Sequence, residues 1–291
     1  MRNANINIRT SAFRFLYVFV FFCTSLTAAC NNQGYQQFTM EYDGLERNYW
    51  VYIPESYNAE PVPVVFDLHA VITSAWIQEL LSGMSVKAAE ENFIVVQPNG
   101  VSGSWNGGPA CCSPANDLDN PIDDVGFSAA ILEDLKNLVS VDESRVYADG
   151  MSNGGYLCHR LACEGADTFA AIGPVASSIG YENINECQPI RPVPVWMFSG
   201  EEDGLNRKKA TGDYWAYEVN GFDDLPPIEV WYNGCVTCYR YQNCIGASVE
   251  HCIGEGVGHC WPSPHVNVLP CTTDINATDR MWEFFEENPM P

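Results

Sequence analysis

Arg145-Val-Tyr-Ala148-Asp-Gly150-Met-Ser152-Asn-Gly154-Gly-Tyr-Leu-Cys-His-Arg-Leu-Ala-Cys163 is the stretch whose reading decides the fold. It opens on a short strand-forming run, Arg145–Ala148. It then passes through Gly150-Met-Ser152-Asn-Gly154 and continues with helical character from Asn153 to Cys163. Strand, sharp turn, helix is the context in which G-x-S-x-G holds a serine hydroxyl at the top of a sheet. The glycines matter because bulkier side chains on so tight a turn would meet neighbouring backbone. The bland alternative is a glycine-rich turn without chemistry.

The rest of the chain supplies a matching frame. Residues 47–53 alternate and are rich in β-formers. Residues 61–68, 93–96, 169–175 and 193–198 read as short buried strands, with later strands at 228–232 and 248–253. Helical patterns fall at 74–91, at 124–139 with acids in the first turn, and at 277–287. Apolar strands alternating with helices predict an α/β fold, a mostly parallel sheet with helices on both faces. One catalytic domain is expected over residues 30–291.

Composition narrows the partners. The 291 residues carry 14 Lys+Arg against 37 Asp+Glu, a formal net charge of −23, which disfavours nucleic acid and anionic surfaces. At 46% hydrophobic and 12% aromatic, the chain is globular rather than disordered. A neutral substrate is the easier match, although acidity alone also fits solubility or high salt. Residues 1–29 read as a signal peptide: Arg2, Arg9 and Arg14, then the apolar run Phe15–Leu26, then Ala28-Ala29. The run is short of the roughly 20 apolar residues a membrane span needs. The protein is therefore expected to be secreted, with no membrane partner unless Cys30 is lipidated.

Of 13 cysteines, Cys23 leaves with the leader and twelve remain, which in an exported chain reads as disulfides. Cys235-Val-Thr-Cys238 has zinc-like spacing but no second CxxC follows, so no metal and no cofactor is expected. Asn276-Ala-Thr278 is a glycosylation sequon, meaningful only in a eukaryotic host. A bridge through Cys252 or Cys260 is expected to anchor the loop around His259.

A serine nucleophile needs a base and the base needs an acid, in the chain order Ser, acid, His for this fold class. Among five histidines, His259 lies in the glycine-rich loop 254–262 just past a strand, where a base can reach the turn. His251 sits inside a strand pattern and His265 follows prolines. Asp203 follows the strand 193–198 and is the first choice of acid, with Glu202 and then Asp213 behind it. The oxyanion donors would be the backbone N–H of Asn153 and one from the loop after His69, at Ala70. Trp105 and Trp261 are candidates for a substrate pocket wall, a buried core tryptophan being the alternative for Trp105.

At this point the chain resembles carbohydrate esterase family 1 and the polyhydroxybutyrate-depolymerase-like esterases, the group that holds the feruloyl esterases. The matching residues are Gly44–Arg47, Asp67–His69, Ser104–Asn106, Cys111-Cys112, Asp123–Phe127, Gly150–Gly155, Arg160–Cys163, Ser199–Asp203, Gly258–Pro262 and Trp282–Phe285. The resemblance implies an α/β-hydrolase fold with Ser152, Asp203 and His259 as its triad. Cys112 with Cys163 is an expected bridge, since the helix after the serine ends near the family's Ser-Trp-Asn segment. Three departures stand out. Ala70 replaces the glycine usual after the histidine, and Ser199 replaces a histidine. Cys260 follows the base, while Met151 stands where some fungal relatives place its partner. The expected function is a secreted serine esterase acting on hydroxycinnamoyl or related esters of polysaccharide. Hydrolysis of polyhydroxybutyrate oligomers is the second enzymatic reading, and a non-catalytic binding module on the same fold is the third.

Overall fold

The apolar runs become strands of a ten-stranded sheet in the computed structural model, which describes residues 33–112, 121–181, 186–204, 208–243, 247–264 and 271–291. The strands are β1 (Gly34–Tyr42), β2 (Leu45–Ile53), β3 (Val62–Leu68), β4 (Ile94–Pro98), β5 (Val141–Met151), β6 (Ala171–Val175), β7 (Val195–Gly200), β8 (Ile228–Asn233), β9 (Val236–Arg240) and β10 (Val249–Gly254). Their order across the sheet is β1-β2-β4-β3-β5-β6-β7-β10-β9-β8. The six from β4 to β10 run parallel, and antiparallel strands close both ends. β3, β4, β6 and β7 are buried along their whole length, as parallel strands covered on both faces must be.

Helices α1 (Ala75–Ser82), α2 (Met84–Glu91), α3 (Asp124–Leu135), α4 (Asn153–Glu164), α5 (Lys208–Asp213, running on into a π-helical turn at Tyr214–Val219) and α6 (Ala277–Glu287) supply that cover. One core gathers Phe66, Phe127, Ile131, Leu157, Phe169 and Trp215. The other gathers Val65, Met84, Phe93, Tyr147, Trp282 and Phe285, with Phe93 stacked on Trp282 and Tyr147 on Phe285. Caps set the boundaries: Asp123 accepts from the Gly126 N–H, and Asn276 from the Thr278 N–H. No described helix is long and apolar enough to cross a membrane. Residues 1–29 and Cys30, the expected leader and lipidation point, lie outside the described residues.

The helix expected over 74–91 is two helices. Gly83, at φ 60°, ends α1 and starts α2, a left-handed conformation that breaks the backbone ladder. The helix expected over 124–139 stops at Leu135. β1 and β9 were not foreseen. β1 alternates half-buried with exposed residues at the sheet edge and carries little apolar signal, and β9 is only five residues long.

Four disulfides join described residues: Cys111–Cys112, Cys163–Cys187, Cys238–Cys252 and Cys260–Cys271. The bridge expected through Cys252 or Cys260 is present, and both cysteines are bonded. The expected Cys112–Cys163 bridge is not. Cys111 lies beside the start of α4, 3.7 Å from the Asn153 amide nitrogen, while Cys163 lies near its end. Ten helical residues separate those points by about 15 Å, against the roughly 7 Å between Cα atoms that a disulfide tolerates. Cys238 of the CxxC is bonded to Cys252, leaving Cys235 a free thiol.

One buried ion pair fastens α3 to the sheet. Arg47 on β2 meets Asp124 on α3 at 2.8 Å, with both side chains out of solvent and the guanidinium over the Phe127 ring. Asp124 also accepts the Asn106 N–H at 2.7 Å. Burial pushes the Asp124 carboxyl above its ordinary range, opposed by the Arg47 charge. Arg47→Met, which strands a carboxylate in the core, is expected to lower the unfolding free energy by about 3–5 kcal/mol in denaturant titration. A loss below about 1 kcal/mol would mean that Asp124 is held by the loop alone.

Candidate active site

The parallel strands deliver three side chains to one edge of the sheet. β5 ends at Met151, immediately before Ser152. β7 ends at Gly200, three residues before Asp203. β10 ends at Gly254, five residues before His259. Because β5, β6, β7 and β10 are parallel neighbours, all three lie beyond carboxyl ends of the same sheet, where α/β sheets place their sites.

Ser152 is held at φ 55°, ψ −117°, a conformation L residues avoid. Such strain amounts to about 1–3 kcal/mol and persists only where the surroundings over-determine it. Here they do. The Ser152 N–H donates to the Val175 carbonyl at 2.9 Å. A Cβ on Gly150 would come 2.7 Å from the Leu68 carbonyl oxygen, and one on Gly154 would come closer still. Both glycines are therefore needed for the turn to pack on the end of β3.

His259 Nδ1 lies 2.9 Å from Asp203 Oδ2. The Asp203 side chain is fully buried, and His259 is 27% exposed. With the Nδ1 proton donated to the carboxylate, Nε2 keeps its lone pair. Glu202 is exposed, and Asp213 accepts instead from the Tyr241 hydroxyl at 2.8 Å. Of the acids weighed from the sequence, Asp203 is the one brought to the histidine. The other described histidines are buried. Trp215 donates to His159 Nδ1 at 2.9 Å and His251 Nε2 meets Ser199 Oγ at 3.0 Å, while burial lowers their pKa values to about 3 and about 4. His265 lies outside the described residues.

The loop expected to supply the second oxyanion donor rests on His69. The Gly100 N–H donates to its Nε2 at 2.9 Å, so Nδ1 carries the proton and donates to the Ala70 carbonyl at 2.8 Å. Burial lowers the pKa of His69 to about 4 and keeps the ring neutral, with the bond to Ala70 opposing. Thr73 Oγ also donates to the Ala70 carbonyl, at 2.6 Å. Ala70 itself is free of positive φ; the left-handed residue of this loop is Ile72, at φ 60°. A methyl group at position 70 is thus accommodated without backbone strain. Asn153 is the first residue of α4, where backbone N–H groups have no partner within the helix. Its side chain is committed: Oδ1 accepts the Trp105 N–H at 2.7 Å, and Nδ2 donates to the Trp105 carbonyl at 2.9 Å.

Neither tryptophan expected in a pocket wall presents surface. Trp105 is wholly buried and its indole donates to the His69 carbonyl at 2.9 Å. Trp261 is 2% exposed and donates to Thr278 Oγ at 3.3 Å. Both brace the site from behind. The exposed apolar surface belongs instead to Ile72, 87% exposed, and Trp76, 62% exposed, on the loop after Ala70 and the start of α1. Sequence reasoning missed Trp76 because apolar residues at helical spacing read as a core face, and Ile72 because a lone apolar loop residue gives no sign of its exposure. A cavity of about 440 Å³ lies to one side, between Glu201, Asp213, Tyr241 and His251, and touches neither Ser152 nor His259. Cys238, Glu250 and Cys252 come within metal-ligating reach of one another. The two sulfurs are bonded together, however, and Glu250 is paired with Arg240 and Arg280.

No family model matches the chain. Feruloyl esterase B of Piromyces equi is 29% identical over 208 residues, 63% of this chain and 37% of that protein. Feruloyl esterase C of Emericella nidulans is 27% identical over 148 residues, 46% of this chain and 47% of that one. The chain thus spans less than half the length of these relatives. Among solved structures, acetyl xylan esterase from Aspergillus awamori superposes with a TM-score of 0.65 at 16% identity, over 87% of this chain and 99% of that chain. An S-formylglutathione hydrolase from Agrobacterium tumefaciens gives 0.57 at 13% identity, over 87% and 95%. The fold is that of the α/β hydrolases, and the chain's curated relatives include feruloyl esterases and a bifunctional acetylxylan esterase/xylanase.

Proposed function

We propose that the chain is a secreted serine carboxylic ester hydrolase acting on hydroxycinnamoyl or related esters of polysaccharide. The observation that carries the reading is the pairing of His259 with buried Asp203 at 2.9 Å, beyond the sheet edge where Ser152 is held in its strained turn. Ser152 attacks the ester carbonyl, and His259 Nε2 takes its proton. Asp203 fixes the tautomer and stabilises the imidazolium. The tetrahedral oxyanion is met by the backbone N–H groups of Asn153 and Ala70. His259 returns the proton to the departing alcohol, and water, activated the same way, releases the acid. Ile72 and Trp76 offer an apolar face for an aromatic acyl group. The disulfides support an oxidising destination. A non-catalytic module has no use for a strained serine beside a histidine–aspartate pair.

Ser152→Ala is expected to lower kcat by about 10⁴–10⁶ while leaving stability nearly unchanged. Ser152→Gly is expected to be equally inactive yet more stable by about 1 kcal/mol, because glycine occupies φ 55° without strain. Activity of the Ala variant above a tenth of the parent would remove Ser152 from the mechanism. Asp203→Asn should slow the enzyme by about 10⁴ without unfolding it, and Glu202→Gln should be near normal; the reverse ranking would move the acid role to Glu202. For the substrate, release rates from methyl ferulate, a hydroxybutyrate oligomer and a plain acetate ester are compared. Methyl ferulate is expected to be fastest, and preference for the oligomer would replace the acyl assignment while keeping the triad.

A further inference from the structure

Beneath the catalytic turn lies a pair of carboxyl groups that the mechanism does not use. Asp67 on β3 and Asp149 on β5 are register partners on adjacent parallel strands, and both are completely buried. Asp67 is supplied with donors: Gln78 Nε2 at 2.6 Å, Ser82 Oγ at 2.8 Å and Gln97 Nε2 at 2.8 Å. Neither oxygen of Asp149 accepts a hydrogen bond from any described residue. Among the described residues no cation donates to either group. Lys87 of α2 is engaged with Glu90 and Asp279, and Arg280 of α6 with Glu250 and Glu283. The titratable groups around the pair are Glu79 of α1, itself held by Ser85 and Gln97, Tyr35 of β1, and the buried Cys158 thiol of α4.

An ionised Asp149 here would be a buried charge with no donor, next to one carboxylate and near another, which is prohibitively unfavourable. A neutral Asp149 has what the site lacks: an O–H to give to Asp67, whose oxygens are already organised as acceptors. We propose that Asp149 is kept as a neutral carboxylic acid donating to Asp67, and that this bond sets the spacing between the strand end carrying Ser152 and the strand end carrying Ala70. Asp149 precedes Ser152 by three residues and Asp67 precedes Ala70 by three, and their neighbours Leu68 and Gly150 are paired in the same register. Asp149 is thus a positioning residue for the nucleophile and the oxyanion donor. Its effect on catalysis rests on the reading of Ser152 above; the proton itself does not.

Burial, then the Asp67 charge, raises the Asp149 carboxyl well above its ordinary range. The folded chain therefore binds a proton that the unfolded chain has released above a pH of about 4. The stabilisation is complete below that value and is lost as pH rises toward the folded-state pKa of Asp149.

The decisive variant is Asp149→Asn, whose amide N–H can still donate to Asp67 but cannot titrate. At pH 6 its kcat is expected to stay within about threefold of the parent, since the donor is retained, and its alkaline loss of thermal stability and kcat should flatten. Asp149→Val, which removes the donor, should lower kcat about tenfold or more at every pH with little change in KM. Infrared difference spectra of parent minus Asp149→Asn at pH 7 should show a protonated carboxylic acid band, still present in Glu79→Gln and in Ser152→Ala. Absence of the band in an active parent, or an unchanged alkaline limb in Asp149→Asn, would overturn the proposal. A band in a parent that hydrolyses no ester would support the shared proton while removing the esterase reading. Should Asp149→Val fail to fold, the Asn variant's spectrum and pH profile still decide.

Discussion

The two-way hydrogen bond between the Asn153 side chain and the Trp105 backbone is the constraint on which the active-site side of the molecule depends. It joins the residue directly after the strained serine to a loop from a distant part of the chain, using one donor and one acceptor on each partner. From Trp105 the connections continue in both directions. Its indole holds the His69 carbonyl, and His69 in turn holds Gly100 and Ala70. The next residue, Asn106, hangs from Asp124, which is paired with Arg47. A serine at φ 55° stays there only if its neighbours cannot relax. This network, running from β2 to the start of α4, denies them that freedom.

Burial explains why one of the described histidines differs from the others. His69, His159 and His251 are buried with lowered pKa values, so they are neutral hydrogen-bonding parts of the scaffold. His259 is partly exposed and faces a buried carboxylate. A chain with a net charge of −23 has acids everywhere on its surface. Burial, rather than abundance, is what singles out Asp203 from Glu202 beside it.

Much of this was legible in the sequence because each signal was local. The buried strands and the glycine-serine-glycine turn announce themselves within a dozen residues, and the order Ser152, Asp203, His259 follows from where strands end. What could not be read was pairing across distance. Arg47, Ser104–Asn106 and Asp123–Phe127 looked like separate matches to a family, and only the fold makes them one hydrogen-bonded unit. The Cys112–Cys163 expectation failed for the same reason, since the length of α4 separates the two, whereas the bridge expected beside His259 formed. Trp105 and Trp261 were misplaced because a large aromatic residue near a site gives no local sign of which way it faces. Asp149 gave no sign at all: it followed the strand read over Arg145–Ala148, and only the register places it inside β5 against another acid.

The two halves of the candidate site are held by different means. Ser152 and the oxyanion loop sit over central strands and are fixed by buried hydrogen bonds, each worth about 0.5–1.5 kcal/mol net but mutually reinforcing. His259 sits toward the other end of the sheet, where β10 is followed only by the antiparallel strands β9 and β8. Covalent links reinforce the packing there. Cys238–Cys252 ties β9 to β10, and Cys260–Cys271 closes the segment directly after the histidine. Such links constrain the unfolded chain and the local opening of a loop, contributing about 2–4 kcal/mol each. Under the proposed mechanism, His259 is held by these covalent links and Ser152 by the hydrogen-bond network.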